Sequence, residues 1–302
     1  MPRGFIEEPR CTTNQRSCVT IDALIGLIGD SAEPVGANYA SKRVDGMSRF
    51  GNLEFDSESN EEHSSQLPLK DEDHFLIKAQ EAFECGRFEL ALRMFARVIE
   101  FNPKLPAAWT GQVRMLIELG EFEEARVWAD KALALFPEEG ELLAAKGVTL
   151  ARLGDHGGAI SYSDAAVESQ VNTAYIWLAR ADVLLARKEK RADYSFERAL
   201  TLANNHWFVR SLAARIYAFY RQFARALKFV QEALSLEPSR AVLWLQAGEC
   251  QLALGLGAQA KNSFEQAREL DSDLPIQDFL SQVNETTILD KLAGRWRQWF
   301  GK

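Results

Sequence analysis

An all-α fold, an α-solenoid of about six helix pairs stacked side by side, is what this 302-residue sequence predicts, and three regularities predict it. Gly86, Gly120 and Gly154 are 34 residues apart, and so are Pro103 and Pro137. Alanines keep that step through Ala91, Ala125 and Ala159, lose one residue at Ala192, and resume it at Ala226 and Ala260. A second series, Val98, Ala132, Ala166, Ala199, Ala233 and Ala267, loses its one residue in the same interval. Two independent series that slip together mark a repeating structural unit.

Each segment has its reason. Glycine, serine, asparagine and charge dominate residues 1–70, and "DSESNEEHSSQ" (56–66) offers no apolar face to bury, so a disordered tail is expected there. Met47 opens "MSRFGNLEFD" and is an alternative start that would leave residues 1–46 untranslated. Six units then occupy residues 72–272. Each has one apolar-periodic segment before its glycine, such as "AAWTGQVRMLIEL" (107–119), and one after it, such as "EEARVWADKALALF" (123–136). Gly120 suits a left-handed helix end. Ala125 and Ala132 lie seven apart on one helix face, where a neighbouring helix can approach closely, and Pro137 cannot continue the helix. The lost residue falls in "ARKEKRAD" (186–193), read as a shortened turn between helices. After Pro275, the spacing of Ile276, Phe279, Leu280 and Val283 predicts a capping helix over the open end, so residues 273–302 are assigned to a capping helix and an amphipathic C-terminal helix. The last stretch, "ILDKLAGRWRQWFGK" (288–302), aligns apolar residues with Arg295, Trp296, Arg297, Trp299 and Phe300 on a helix. Three readings stay open for it: a second cap, a membrane-surface helix, or a partner-docking helix.

Composition excludes several function classes. With 47 % hydrophobic residues the chain can bury a real core, and a net charge of −8 without a dominant basic block argues against nucleic acid as a partner. No apolar run approaches the length of about 18 residues that spans a bilayer. Asp22 interrupts "VTIDALIGLIG" (19–29), which argues against a signal peptide. Cys11, Cys18, Cys85 and Cys250 fit neither a zinc motif nor a disulfide framework, so free thiols in a reducing, cytoplasmic setting are expected. His63, His74, His156 and His206 stand at no metal-ligand or triad spacing, and there is no glycine-rich phosphate loop. Neither catalysis, metal nor cofactor is expected.

The period, the small residue followed four later by an aromatic (Ala91 and Phe95, Ala192 and Phe196, Ala260 and Phe264) and the closing prolines resemble the tetratricopeptide repeat family over about two thirds of the chain. Trp109, Trp177 and Trp244 fall where that family's first helix often carries tryptophan, and are expected in the core. Departures concentrate in the third and fourth units: Ser163 replaces an aromatic, Lys188 the turn glycine, and Asn204 stands near the unit's end. The RNA-reading pentatricopeptide array, of longer period, fits an acidic chain less well.

The resemblance implies that first helices line a concave groove that binds a protein segment. At the repeat spacing one row is Gln80, Arg114, Val148, Asp182, Arg215 and Glu249, and another begins Leu76, Thr110 and Ala144. Tyr175, Phe208 and Phe219 align with the same side. Thr110, Gly111, Ala144 and Ala145 stand where a carboxylate-clamping lysine and asparagine cluster would be, which disfavours chaperone-tail binding. The expected function is therefore a non-catalytic scaffold. It holds a helix or extended segment of mixed apolar and charged character, with Arg114 and Arg215 pairing partner carboxylates. The alternative is a peripheral membrane factor tethered by residues 288–302.

Overall fold

The structure, a computed structural model, describes residues 72–274, 276, 277, 279 and 280. Twelve helices and no strand occur among them: α1 Glu72–Glu84, α2 Phe88–Phe101, α3 Pro106–Glu118, α4 Phe122–Leu135, α5 Gly140–Leu153, α6 His156–Glu168, α7 Ala174–Ala186, α8 Ala192–Leu202, α9 Trp207–Phe219, α10 Phe223–Leu236, α11 Ala241–Ala253 and α12 Gly257–Leu270. Residues 1–71, which include the expected disordered tail of residues 1–70, lie outside the described residues. The chain divides into two compact units, which contribute residues 72–199 and 200–280 to the described part.

In the first unit α1–α2, α3–α4 and α5–α6 are hairpins. Here α3 lies against α5 and α5 against α7, while α2, α4 and α6 each pack on the first helix of the next pair. In the second unit α9–α10 and α11–α12 repeat the arrangement, with α10 and α9 both against α11. Every member of both alanine series is buried, none more than 1 % exposed. A methyl group at these positions sets how closely neighbouring helices approach, so the spacing read from sequence is a packing constraint. First helices are enclosed on several sides, and α5 buries an almost unbroken run from Leu142 to Ala151. At Gly111 and Gly248 the rings of Phe95 and Phe264 occupy the space a Cβ would need.

Turns show why the glycines recur. Gly86, Gly120, Gly154 and Gly255 have φ between 73° and 88°. Lys188 and Arg221, in the same register but with side chains, adopt φ of 58° and 57°. The expected shortened turn is corrected: residues 187–191 separate α7 from α8, a longer connection than in the other hairpins, and the shortening falls on α8 itself. Ala192 N donates to Glu189 O at 3.2 Å and Asp193 N to Lys190 O at 3.3 Å, an i→i−3 pattern with fewer residues per turn. Accordingly α8 has 11 residues where the other helices have 13 or 14.

Prolines and tryptophans act together. Trp109 Nε1 donates to Pro103 O at 3.0 Å and Trp244 Nε1 to Pro238 O at 2.8 Å. In the fourth pair the side-chain oxygen of Asn172 takes the proline carbonyl's place, accepting from Trp177 Nε1 at 2.7 Å. Each indole thereby ties the loop before its helix, which satisfies its N–H where the ring packs. At the other end Phe279 stacks on Phe264 with ring centroids 5.2 Å apart, and Ile276 is buried beside it.

Candidate partner-binding face

In the first unit two of the expected groove residues, Arg114 and Tyr175, meet in one side-chain cluster. Arg114, on α3, reaches Tyr175, at the start of α7, so its guanidinium carbon stands 3.8 Å from the Tyr175 ring centroid and 4.9 Å from that of Phe83 on α1. The guanidinium is thus held between two rings by cation–π attraction. Among the described residues Arg114 makes no hydrogen bond or ion pair, so its N–H edge is uncommitted. The Tyr175 hydroxyl is buried with no hydrogen-bond partner. Burial drives its pKa well above the usual tyrosine range, with Arg114 opposing and Glu141, Glu118 and Asp182 reinforcing the rise. The hydroxyl therefore remains a proton donor. Ala144 and Val148, the α5 members of the two rows, are buried in one cluster with Ile117 and Tyr175.

Two expectations for this unit are corrected. Asp182 does not offer a carboxylate to a partner: it is 2 % exposed, and Arg152 of α5 grips it through Nε at 3.1 Å and Nη2 at 2.5 Å. Thr110 is buried as well. Both positions were expected on an open floor, but neighbouring first helices lie too close for their side chains to reach solvent. Gln80 is exposed and donates to Glu84 Oε1 at 2.9 Å. Arg152 and Phe83 were not anticipated. Arg152 and Asp182 are 30 residues apart, one helical turn short of the repeat, and that offset in a charge pair was the available signal.

The second unit holds the remaining residues. Glu249, on α11, keeps partial contact with solvent, yet burial pushes its pKa up to about 7 against the pull of Arg215 on α9. Beside them Ser211 Oγ and Gln246 Oε1 share a buried hydrogen bond of 3.0 Å. Phe208 packs edge-on against Trp207 at 5.4 Å and belongs to the apolar cluster with Ala233 and Leu243, whereas Phe219 is 42 % exposed. Cys250 is buried, and its thiol pKa is raised to about 12 by desolvation, an unreactive state. Among the described residues no group of three or more His, Cys, Asp or Glu side chains gathers as a metal site, and no helix is long and apolar enough to cross a membrane. Arg295, Trp296, Arg297, Trp299 and Phe300 lie outside the described residues.

Within each unit, paired helices that pack on the next pair define a helical repeat fold. The tetratricopeptide repeat family model matches residues 78–140, the first two helix pairs of the array in large part. BBSome complex member BBS4 of Bos taurus is 21 % identical over 192 residues, 63 % of this chain and 37 % of that protein. A thermophilic TPR protein of Thermus thermophilus superposes with a TM-score of 0.47 at 24 % identity, over 60 % of this chain and 99 % of that one. The APC/C hetero-tetramer Cut9–Hcn1 gives 0.44 at 15 % identity, over 71 % of this chain and 43 % of that one. This chain therefore spans less than half the length of BBS4 and of the APC/C chain.

Proposed function

We propose that the protein is a non-catalytic scaffold that holds a segment of another protein along its first-helix face. The observation that carries this reading is Arg114. Its planar fork is oriented by Phe83 and Tyr175 with its hydrogen-bonding edge uncommitted, so little rotamer entropy remains to be lost when a partner carboxylate pairs with it. The partner's acceptor also satisfies the Tyr175 hydroxyl, recovering part of a desolvation cost of about 1–3 kcal/mol. Glu118 and Glu141 lie near enough to act on Tyr175 and oppose dense negative charge. A segment with one carboxylate among apolar residues fits; a polyanion does not. In the second unit Arg215, which already acts on Glu249, pairs a further partner carboxylate and Phe219 gives apolar contact, with a cytoplasmic setting part of the same proposal. That BBS4 is itself a member of a complex supports a role in holding subunits. A membrane tether rests on residues 288–302 alone, and no described feature favours it.

Charge reversal tests this. Full-length Arg114→Glu/Arg215→Glu protein is expected to lose, by about tenfold or more, the partners that the parent captures. Capture unchanged for every partner overturns the assignment.

A further inference from the structure

A second surface, away from Arg114, has the composition of a docking site. Trp177 is two residues beyond Tyr175 on α7, about 200° around the helix. Its ring meets Tyr194 of α8 edge-on at 6.0 Å, and the Arg198 guanidinium carbon stands 5.9 Å from its centroid. Tyr194 and Arg198 are four apart, on one face of α8. Tyr194 is 62 % exposed, and Val171, next to the Asn172 that holds the indole, is 41 % exposed. Tryptophan, tyrosine and arginine together are the side chains that most often dominate binding energy.

The border of this patch is basic, within an acidic chain. "RKEKRADYSFER" (187–198) holds five basic and three acidic residues. Glu189 already bridges Arg187 at 2.6 Å and Arg191 at 3.0 Å. Lys188 and Lys190 are exposed and form no ion pair among the described residues. The surface is thus aromatic with uncommitted positive charge, and its complement is an acidic segment that carries an apolar anchor.

Such a segment precedes α1 in the same chain. "LEFDSESNEE" (53–62) offers Leu53 and Phe55 with Glu54, Asp56, Glu58, Glu61 and Glu62, and contains no basic residue. It is retained whether the chain starts at Met1 or at Met47. First helices packed at 8–10 Å put α7 roughly 30 Å from α1, while residues 62–72 extended span at most about 35 Å. Tethering supplies an effective concentration in the millimolar range, enough to fill a site too weak for a free peptide. We propose that residues 53–62 dock on the Trp177–Tyr194–Arg198 patch of their own chain, with Phe55 against the rings and the carboxylates against Lys188, Lys190 and Arg198. This rests on α7 and α8 alone, independent of what the Arg114 face binds.

Zero-length carbodiimide cross-linking of a mixture of light and heavy isotope-labelled full-length protein tests it. Light–light and heavy–heavy links from Lys188 or Lys190 to carboxylates 54–62 are expected, weakening several-fold in about 0.5 M salt. Tyr194→Ala/Arg198→Glu, and Tyr194→Gln alone as a milder variant, are expected to cut their yield about tenfold with an unchanged melting profile. Links confined to Glu189, Asp193 and Glu197, links only between light and heavy copies, or a yield indifferent to both variants would each overturn the proposal.

Discussion

Gln112 occupies a position where three other first helices carry a cation, Lys78, Lys146 and Arg180, and the last two reach back to a second helix. Lys146 donates to Asp130 at 2.6 Å and Arg180 to Asp164 at 2.7 Å, each across 16 residues to the preceding second helix. Sixteen residues before Gln112 stands Ala96, and both amide atoms of the buried Gln112 lack a partner. The sequence showed a polar residue in an apolar run; only its register against the pairs in the next two units explains why it is orphaned. Glu249 is a second case of burial outweighing a partner. Below pH 4.5 it is protonated in both the folded and unfolded chain and costs nothing. As pH rises from 4.5 to about 7 the unfolded chain ionises first and stability falls, and above 7 the full penalty remains. Glu249→Gln is therefore expected to match the parent near pH 4 and to exceed it by about 1–2 kcal/mol at pH 8, a range reduced for its partial exposure. Denaturant titrations at both pH values measure it; a difference independent of pH contradicts it.

At the level of elements, the repeat spacing located each helix pair among the described residues, because a close-packed alanine cannot drift along the helix without opening a gap. It located the missing residue less well. Spacing fixes how many residues a unit has but not whether turn or helix gives one up, and the structure shows helix α8 beginning later, after two i→i−3 bonds. The turns of the fourth and fifth units also carry side chains where the others have glycine. Lys188 and Arg221 sit in left-handed backbone that costs a side-chain-bearing residue about 1–2 kcal/mol. Glycine relieves that cost and gives back part of it through a looser unfolded chain. Lys188→Gly and Arg221→Gly are each expected to raise unfolding stability by about 0.5–1 kcal/mol, measured by denaturant unfolding. A loss of stability at both sites would show that their side chains hold the turns in ways the backbone does not reveal.

For the whole molecule, the sequence identified the first helix of each described pair but not which of its side chains remain available to a partner. Periodicity places Asp182 and Arg114 in one row, yet Arg152 binds the first while two rings orient the second, and both outcomes depend on contacts between units of sequence 30 to 61 residues apart. The functional reading depends on that division of labour: second helices and alanines build the stack, and the uncommitted groups of the first helices grip another chain. Hydrogen–deuterium exchange of the full-length protein, alone and with the tightest-binding segment from a displayed-peptide selection against it, tests this most directly. Added protection is predicted in α3 and α7 around Arg114 and Tyr175, little changed in α4 and α6, and absent in Arg114→Glu. Protection confined to second helices, or persisting undiminished in Arg114→Glu, would contradict the account.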